Sequence, residues 1–463
     1  MAVAPQYQQP AAGASSSPHL RVLHTALVPP SPSSGPAPPE SSLPLTFFDI
    51  FWLHSPPVER LFFYRLAPDA DVAAILSNLR DSLSQAVRTF YPLAGHLRLT
   101  PATTNRYELY YRPGDGVTFT VAEYDDDADN LSTDDPREFA RVAPLVPRLP
   151  EGGAVLALQA TLLAASRGLA LGVTVHHAAC DGAGSTHFLH TLAAACTGAQ
   201  APPPPPVIDR TLIPDPRGLY DVFFQAVPST DEMQFVKMSA DQLIATFTLS
   251  KDGVQRVKDA VVAEAARRGI APPRCSSLVA TLGFVWSCYQ RAKASSGSGE
   301  GSACLLFPVD HRSRMKPPLP DKYLGNCVGP ALGIASRGEL AEAGAGGLLT
   351  ACTAVAKGID EAVSGIGTPS MDALIDRIKE VAAMGTLSVA GSPRFRVYDL
   401  DLGFGRPVKV DIVSIARTGA VAMAESRSSA GGMEMGISLK PDGMDSFRKC
   451  FADAIAWLDA CTF

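Results

Sequence analysis

Apolar residues in this chain alternate between two rhythms, and their order predicts a mixed α/β fold. Period-two alternation or a short unbroken apolar run marks strands at Leu20 to Leu27, Arg60 to Leu66, Val155 to Leu163, Leu169 to Val175 and Ile244 to Leu249. A period near 3.6 marks helices. Val72, Ile75, Leu76, Leu79, Leu83 and Val87 share one face between Val72 and Thr89, and Phe188, Leu189, Leu192, Ala195 and Cys196 do so after Gly184. Further helices are expected at Asp252 to Arg268, Ser276 to Arg291 and Met444 to Asp459. Strands and helices interleave in both halves, as in an α/β protein of two similarly sized domains, and no internal repeat points to a solenoid.

Punctuation between these runs suggests the boundaries. Residues 1–18 are Ala, Gln, Ser and Pro-rich and read as a disordered start. A first domain spans 19–200. The proline run Pro202 to Pro206 is stiff and extended, so 201–237 reads as a crossover, and a second domain spans 238–463. Residues 28–43, Ser295 to Ser302 and Gly344 to Gly347 read as loops. Glu123 to Asp135 carries six Asp residues and reads as a solvated loop; a calcium site is the alternative, but the EF-hand spacing is absent.

With 46% hydrophobic and 19% charged residues, the composition is that of a globular protein. A net charge of −6 and the lack of a dense Lys/Arg run give no footprint for nucleic acid. No apolar stretch is long enough for a membrane span, and the first 18 residues have neither the basic start nor the apolar core of a secretory signal. The nine cysteines are odd in number, scattered and never spaced as CxxC, as expected for reduced thiols in the cytoplasm.

The chemistry concentrates in His176-His177-Ala178-Ala179-Cys180-Asp181-Gly182, at a strand-to-helix junction. A histidine titrates near neutrality and can take a proton from a hydroxyl as that hydroxyl attacks a carbonyl. Asp181 could orient His177 directly or brace the turn through an arginine elsewhere, and the spacing leaves both open. A core histidine capped by a local Asp fits the same pattern. His176, His177, His187 and His190 cluster in sequence, yet without HExxH or CxxC no metal is expected. Cys180 reads as a small buried thiol, and no GxSxG elbow supports a serine hydrolase.

Asp401-Leu402-Gly403-Phe404-Gly405, taken with the HHAACDG run, closely resembles the plant BAHD acyltransferases, which carry HxxxD near the middle and DFGWG near the end. Similar segments are Leu45 to Asp49, Phe90 to Gly95, Pro308 to Arg314 and Tyr323 to Cys327, so the resemblance runs from about residue 20 onward. It implies a chloramphenicol acetyltransferase-like fold of two domains with the active site in a channel between them. It also implies a monomer that uses an acyl-coenzyme A donor as co-substrate, with no permanently bound cofactor. His177 would be the general base. Asp181 would be a structural brace turned toward Arg312, or failing that Arg314. Asp401, Gly403 and Gly405 would form a structural turn off the site, with Leu402 and Phe404 departing from the usual Phe and Trp. Ser250, Lys251, Ser388 and Arg394 are the expected coenzyme A contacts.

YLGNC at Tyr323 to Cys327 resembles the YFGNC run of the clade that acylates anthocyanin, flavonoid and other phenolic glycosides, often with malonyl. Malonyl-using members often carry a cation just after HxxxD, where this chain has Gly182-Ala183-Gly184-Ser185. A malonyl carboxylate would then need His187 or a distant Arg as its anchor. A hydroxycinnamoyl donor would need an apolar slot, for which Phe47, Phe48, Phe51 and Trp52 are candidates, with core packing as the alternative. Asn326 is placed with Phe47 and Trp52 in the acyl or acceptor pocket. Malonyl ranks just ahead of a coumaroyl or caffeoyl donor, and a noncatalytic binding protein is the remote third reading.

Overall fold

A computed structural model describes residues 19–32, 35–163, 167–226, 239–295, 300–365, 374–382 and 384–461. Two mixed sheets form its frame. The first has six strands in the order Leu20–Val28, Val117–Tyr124, Leu156–Leu163, Gly168–Val175, Val58–Arg65 and Lys409–Ile412. Neighbours in it are antiparallel except Val117–Tyr124 and Leu156–Leu163. Every residue of Gly168–Val175 is buried, which explains why that strand reads as an unbroken apolar run rather than an alternation.

The second sheet has seven strands in the order Val328–Ser336, Ser302–Asp310, Leu387–Gly391, Val421–Glu425, Met433–Leu439, Leu243–Leu249 and Arg137–Glu138. Helices Ser277–Ala294, Ala345–Gly365 and Pro441–Ala460 pack with it around one core, with Trp286 fully buried and Phe284 edge-on to Phe451 at 5.2 Å. The mixed α/β architecture expected from the apolar rhythm is present.

The two sheets exchange their last strands. Lys409–Ile412, late in the chain, closes the first sheet, while Arg137–Glu138, early in the chain, closes the second. The exchanged strands are joined by a bidentate ion pair between Arg137 and Asp411, at 2.8 and 3.1 Å, with both side chains 2% exposed. Fully buried Lys409 extends this network to Asp134 at 2.5 Å and lies 3.8 Å from Asp411.

Helix positions agree with the apolar spacing, and the caps supply the ends. Val72–Thr89 starts behind Asp71, and Ser277–Ala294 behind Ser276, whose hydroxyl accepts the Val279 N–H. Three loop expectations need correction, the first being 28–43, whose end forms the strand Ser41–Pro44 paired with Tyr107–Tyr111. The Asp-rich segment 123–135 is not a free solvated loop: Asp126 is buried against Arg141, and Asp134 pairs with Lys409 and Arg427. Its acidity is used to neutralise cations of the frame. Gly344 to Gly347 is not a loop either, because helix Ala345–Gly365 begins inside it and buries Gly347. The expectations for 1–18, for 227–237 of the crossover and for part of Ser295 to Ser302 fall outside the described residues.

Replacing Asp411 with Ala leaves Arg137 and Lys409 buried without their shared counter-charge. Urea unfolding should then show a loss of about 3–5 kcal/mol.

Candidate active site

Between the sheets lies a cavity of about 1690 Å³, larger than the roughly 300–1000 Å³ of a single small-molecule site and roomy enough for two substrates. Trp52, His177 and Asp181 lie on its wall from the first half of the chain, and Arg312, Ser388 and Arg394 from the second.

Strand Gly168–Val175 ends directly before His176, and Asp181 caps helix Gly182–Thr197 by accepting the Gly184 N–H at 3.0 Å. His177 therefore sits in a turn fixed at both ends. Its Nδ1 lies 3.2 Å from Asn326 Oδ1. The Asn326 amide nitrogen is already committed, donating to Asp49 Oδ1 and to the His177 carbonyl, each at 2.9 Å. The amide oxygen must therefore face the ring, so Nδ1 carries the proton and Nε2 keeps its lone pair. Asp49 is fully buried and also accepts from Arg210 Nη1 at 2.9 and 3.0 Å, which holds the chain Arg210, Asp49, Asn326, His177 in register. Trp52 stacks on the imidazole with centroids 3.8 Å apart and planes 13° apart. Burial lowers the pKa of His177 below its ordinary value, and the Asp181 charge offsets this only in part. At neutral pH the ring is neutral and basic.

Asp181 does not touch His177. Its carboxylate meets Arg312 at 2.8 and 3.0 Å and accepts the Cys327 N–H at 3.1 Å. Burial alone would push its pKa up, but the Arg312 charge and these hydrogen bonds hold it below the usual carboxylate value. Arg312 Nη2 also donates to the carbonyls of Tyr323 and Gly325, at 3.2 and 3.1 Å. Arg314, the second candidate partner, instead donates to the Asp310 carbonyl at 2.6 Å.

Asp401 accepts the N–H groups of Gly403 and Gly405 at 2.8 and 3.1 Å, closing a turn in which Gly403 has φ +88°. A side chain at Gly403 would press within 3.1 Å of the Cys196 carbonyl, so the turn lies against the far end of helix Gly182–Thr197. Phe404 meets Tyr64 edge-on at 5.1 Å. Cys196 lies fifteen residues beyond Asp181, roughly 22 Å along the helix at 1.5 Å per residue, although Asp401 itself borders the same large cavity and so is not wholly off the site as expected.

The remaining sequence candidates divide. Ser388 and Arg394 border the cavity, and Phe48, Phe51 and Trp52 form an aromatic wall. Phe47 instead faces the neighbouring core, 6.1 Å from Phe223. Ser250 caps helix Lys251–Arg267 by accepting the Gly253 N–H at 3.0 Å, and neither it nor Lys251 borders the cavity. Burial pushes the Cys180 thiol up to about 12, an inert state. His187 contacts the Pro204 carbonyl at 2.8 Å, and burial takes its pKa down to about 4, so it is uncharged. Among the described residues no group of three or more His, Cys, Asp or Glu side chains is placed to hold a metal. Asp49 and Arg210 had no role assigned from sequence. The signal for Asp49 was the spacing Thr46-x-x-Asp49, a capping box in which Asp49 accepts the Thr46 N–H at 2.8 Å.

Two mixed sheets flanking a large cavity, with a neutral histidine on its wall, are an α/β arrangement suited to base chemistry on a bound substrate. The fold is like that of vinorine synthase (TM-score 0.69, 19% identity, covering 92% of this chain and 96% of that one). It is also like that of F. graminearum TRI101 complexed with Coenzyme A and T-2 mycotoxin (TM-score 0.63, 16% identity, 88% and 97%). Residues 20–454 match the Transferase family, and the chain belongs to that family, the BAHD acyltransferases. It is an acyl-coenzyme A-dependent acyltransferase. Phenolic glucoside malonyltransferase 2 of Arabidopsis thaliana is 34% identical over 438 residues, covering 89% of this chain and 94% of its own. Malonyl-coenzyme A:anthocyanin 3-O-glucoside-6''-O-malonyltransferase of Dahlia pinnata is 31% identical, with 95% and 98% covered. Coumaroyl-CoA:anthocyanidin 3-O-glucoside-6''-O-coumaroyltransferase 1 of Arabidopsis thaliana is 29% identical, with 90% and 94% covered.

Asp181→Asn keeps the shape of the cap but removes the charge opposite Arg312; thermal unfolding should register a loss of about 3–5 kcal/mol. Asn326→Ala frees the His177 ring, and steady-state kinetics should show kcat reduced about 10- to 100-fold with KM much less affected.

Proposed function

We propose that the protein transfers the acyl group of an acyl-coenzyme A, malonyl first among the candidates, to a sugar hydroxyl of an anthocyanin, flavonoid or other phenolic glycoside, with His177 as general base. The observation that carries this reading is the commitment of His177 Nδ1 to Asn326, which reserves Nε2 for a proton from the cavity. The acceptor oxygen attacks the thioester carbonyl carbon as Nε2 takes its proton, and a tetrahedral oxyanion forms. Collapse breaks the carbon–sulfur bond, and the departing thiolate recovers the proton from the imidazolium. Trp52 presents its π face to that transient cation. No covalent acyl-enzyme enters, in keeping with the inert state of Cys180. Ser388 and Arg394 are the coenzyme A contacts best supported by position on the cavity wall.

The phenolic glucoside and anthocyanin acceptors named for the relatives support the acceptor class. A hydroxycinnamoyl donor is the second reading, favoured by the aromatic wall of Phe48, Phe51 and Trp52. A cytoplasmic location is supported by nine free cysteines, and a monomer by the family resemblance.

Purified protein should release free thiol from malonyl-coenzyme A only when a phenolic glucoside is present. His177→Ala should lower that rate about 10²- to 10⁴-fold. Thiol released equally fast by His177→Ala, or without acceptor, would falsify the assignment. Because burial lowers the His177 pKa, kcat/KM should rise with pH along a limb below the ordinary value of about 6.5 and be flat at neutrality. A limb centred above that value would contradict the neutral-base reading.

A further inference from the structure

One buried cation on the cavity wall has no part in the proton transfer described above. Arg60, in strand Val58–Arg65, is 5% exposed. Its Nη1 donates to the Thr186 hydroxyl at 2.8 Å and its Nη2 to the Ser185 hydroxyl at 3.0 Å. Both acceptors are neutral. Asp181 is taken by Arg312 and Asp49 by Arg210, and among the described residues no carboxylate lies within ion-pair distance of Arg60. Burial lowers the Arg60 pKa to about 10, with the Asp181 charge, beyond ion-pair distance, among the influences that offset part of this, so the group stays cationic at neutral pH.

Buried charges are as a rule paired, so an unpaired guanidinium on the wall of a substrate cavity marks a place for an anion. The surroundings fit. Ser185 and Thr186 are the fourth and fifth residues of the sixteen-residue helix Gly182–Thr197, near its N-terminus, whose dipole adds positive potential there. A guanidinium has five N–H donors in a planar fork that matches a carboxylate, and the two hydroxyls fix its orientation. Gly182 lets the Phe395 ring pack directly on the turn, since a Cβ there would lie 2.6 Å from that ring and 3.6 Å from Arg60 Nη2. Arg60 and His177 share the cavity, and the Arg60 charge is close enough to disfavour protonation of His177.

Other cations of the cavity do not fill this role: Arg274, Arg314, Lys322 and Arg396 are exposed. Arg312 is neutralised by Asp181, Arg377 pairs with Glu361 at 3.2 Å, and His187 is uncharged. Arg394 is exposed and suits a phosphate at the rim.

We propose that Arg60, oriented by Ser185 and Thr186, anchors a free carboxylate on the donor acyl group and thereby selects a short dicarboxylic monothioester of the malonyl type. This rests on the acyl-transfer reading above and goes beyond it by naming the residue that chooses the donor. A neutral acyl group in the same place would leave the guanidinium buried and unpaired, so the site rejects as well as attracts.

Acetoacetyl-coenzyme A is the sharpest probe, because it replaces one carboxylate oxygen of malonyl by a methyl at nearly the same volume. With quercetin 3-O-glucoside as acceptor, kcat/KM for malonyl-coenzyme A should exceed that for acetoacetyl-coenzyme A by about 100-fold in the natural protein. Arg60→Met should bring that ratio down by about the same factor, and Arg60→Lys should restore part of it. Acetoacetyl- or coumaroyl-coenzyme A used as well as malonyl by the natural protein overturns the anchor while leaving acyl transfer intact. So does an Arg60→Met protein in which all donors fall equally, since that is the mark of a purely structural tie. If circular dichroism shows that Arg60→Met does not fold, the ratio in the natural protein decides alone. Failure of every donor overturns the acyl-transfer reading and this proposal with it.

Discussion

A buried carboxylate must find its counter-charge and hydrogen bonds inside the protein, and two of them, Asp49 and Asp181, hold the reaction chamber together. Both come from the first half of the chain and take partners from the segment 310–327 of the second. Their charges cannot be solvated, so the segment bearing Arg312, Asn326 and Cys327 must dock in one register. The same rule operates at the frame, where Arg137 and Asp411 join the exchanged strands of the two sheets.

This docking explains why the histidine is poised rather than merely present. Asn326 is fully buried, its amide is oriented by Asp49, and it in turn sets the tautomer of His177. Trp52 covers one face of the ring. The carboxylate four residues beyond His177 does a different job. It caps the helix and secures Arg312, and the order of residues in HxxxD thus joins a chemical group to the brace of its own turn. The turn at Asp401 to Gly405 acts on the opposite end of that helix, so the two segments that carry the family resemblance bear on one element.

Much of this was legible in the residues. Apolar spacing located the helix Val72–Thr89 and the strand that delivers His177, since local periodicity follows directly from which face a side chain must bury. The acidic run at 123–135 misled, because ion pairing with Lys409, Arg427 and Arg141 depends on residues far apart in the chain or on a fold not yet known. Asn326 was read as a pocket residue, and in the structure its amide meets the His177 ring and Asp49; nothing in the sequence YLGNC says which atoms it will meet.

By itself, the sequence determined the α/β alternation and the turn carrying His177, and its resemblance to a family implied the partnership of Asp181 with an arginine. Each of these depends on local periodicity, on capping or on a recognisable order of residues. The tertiary structure alone decided the exchange of strands between sheets, the relay from Arg210 through Asp49 and Asn326, and the isolation of Arg60 without a carboxylate. The physical reason is that burial and pairing of charge are properties of the folded interior. Within Val58–Arg65, Arg60 looks like any arginine in a strand until two hydroxyls and a cavity close around it.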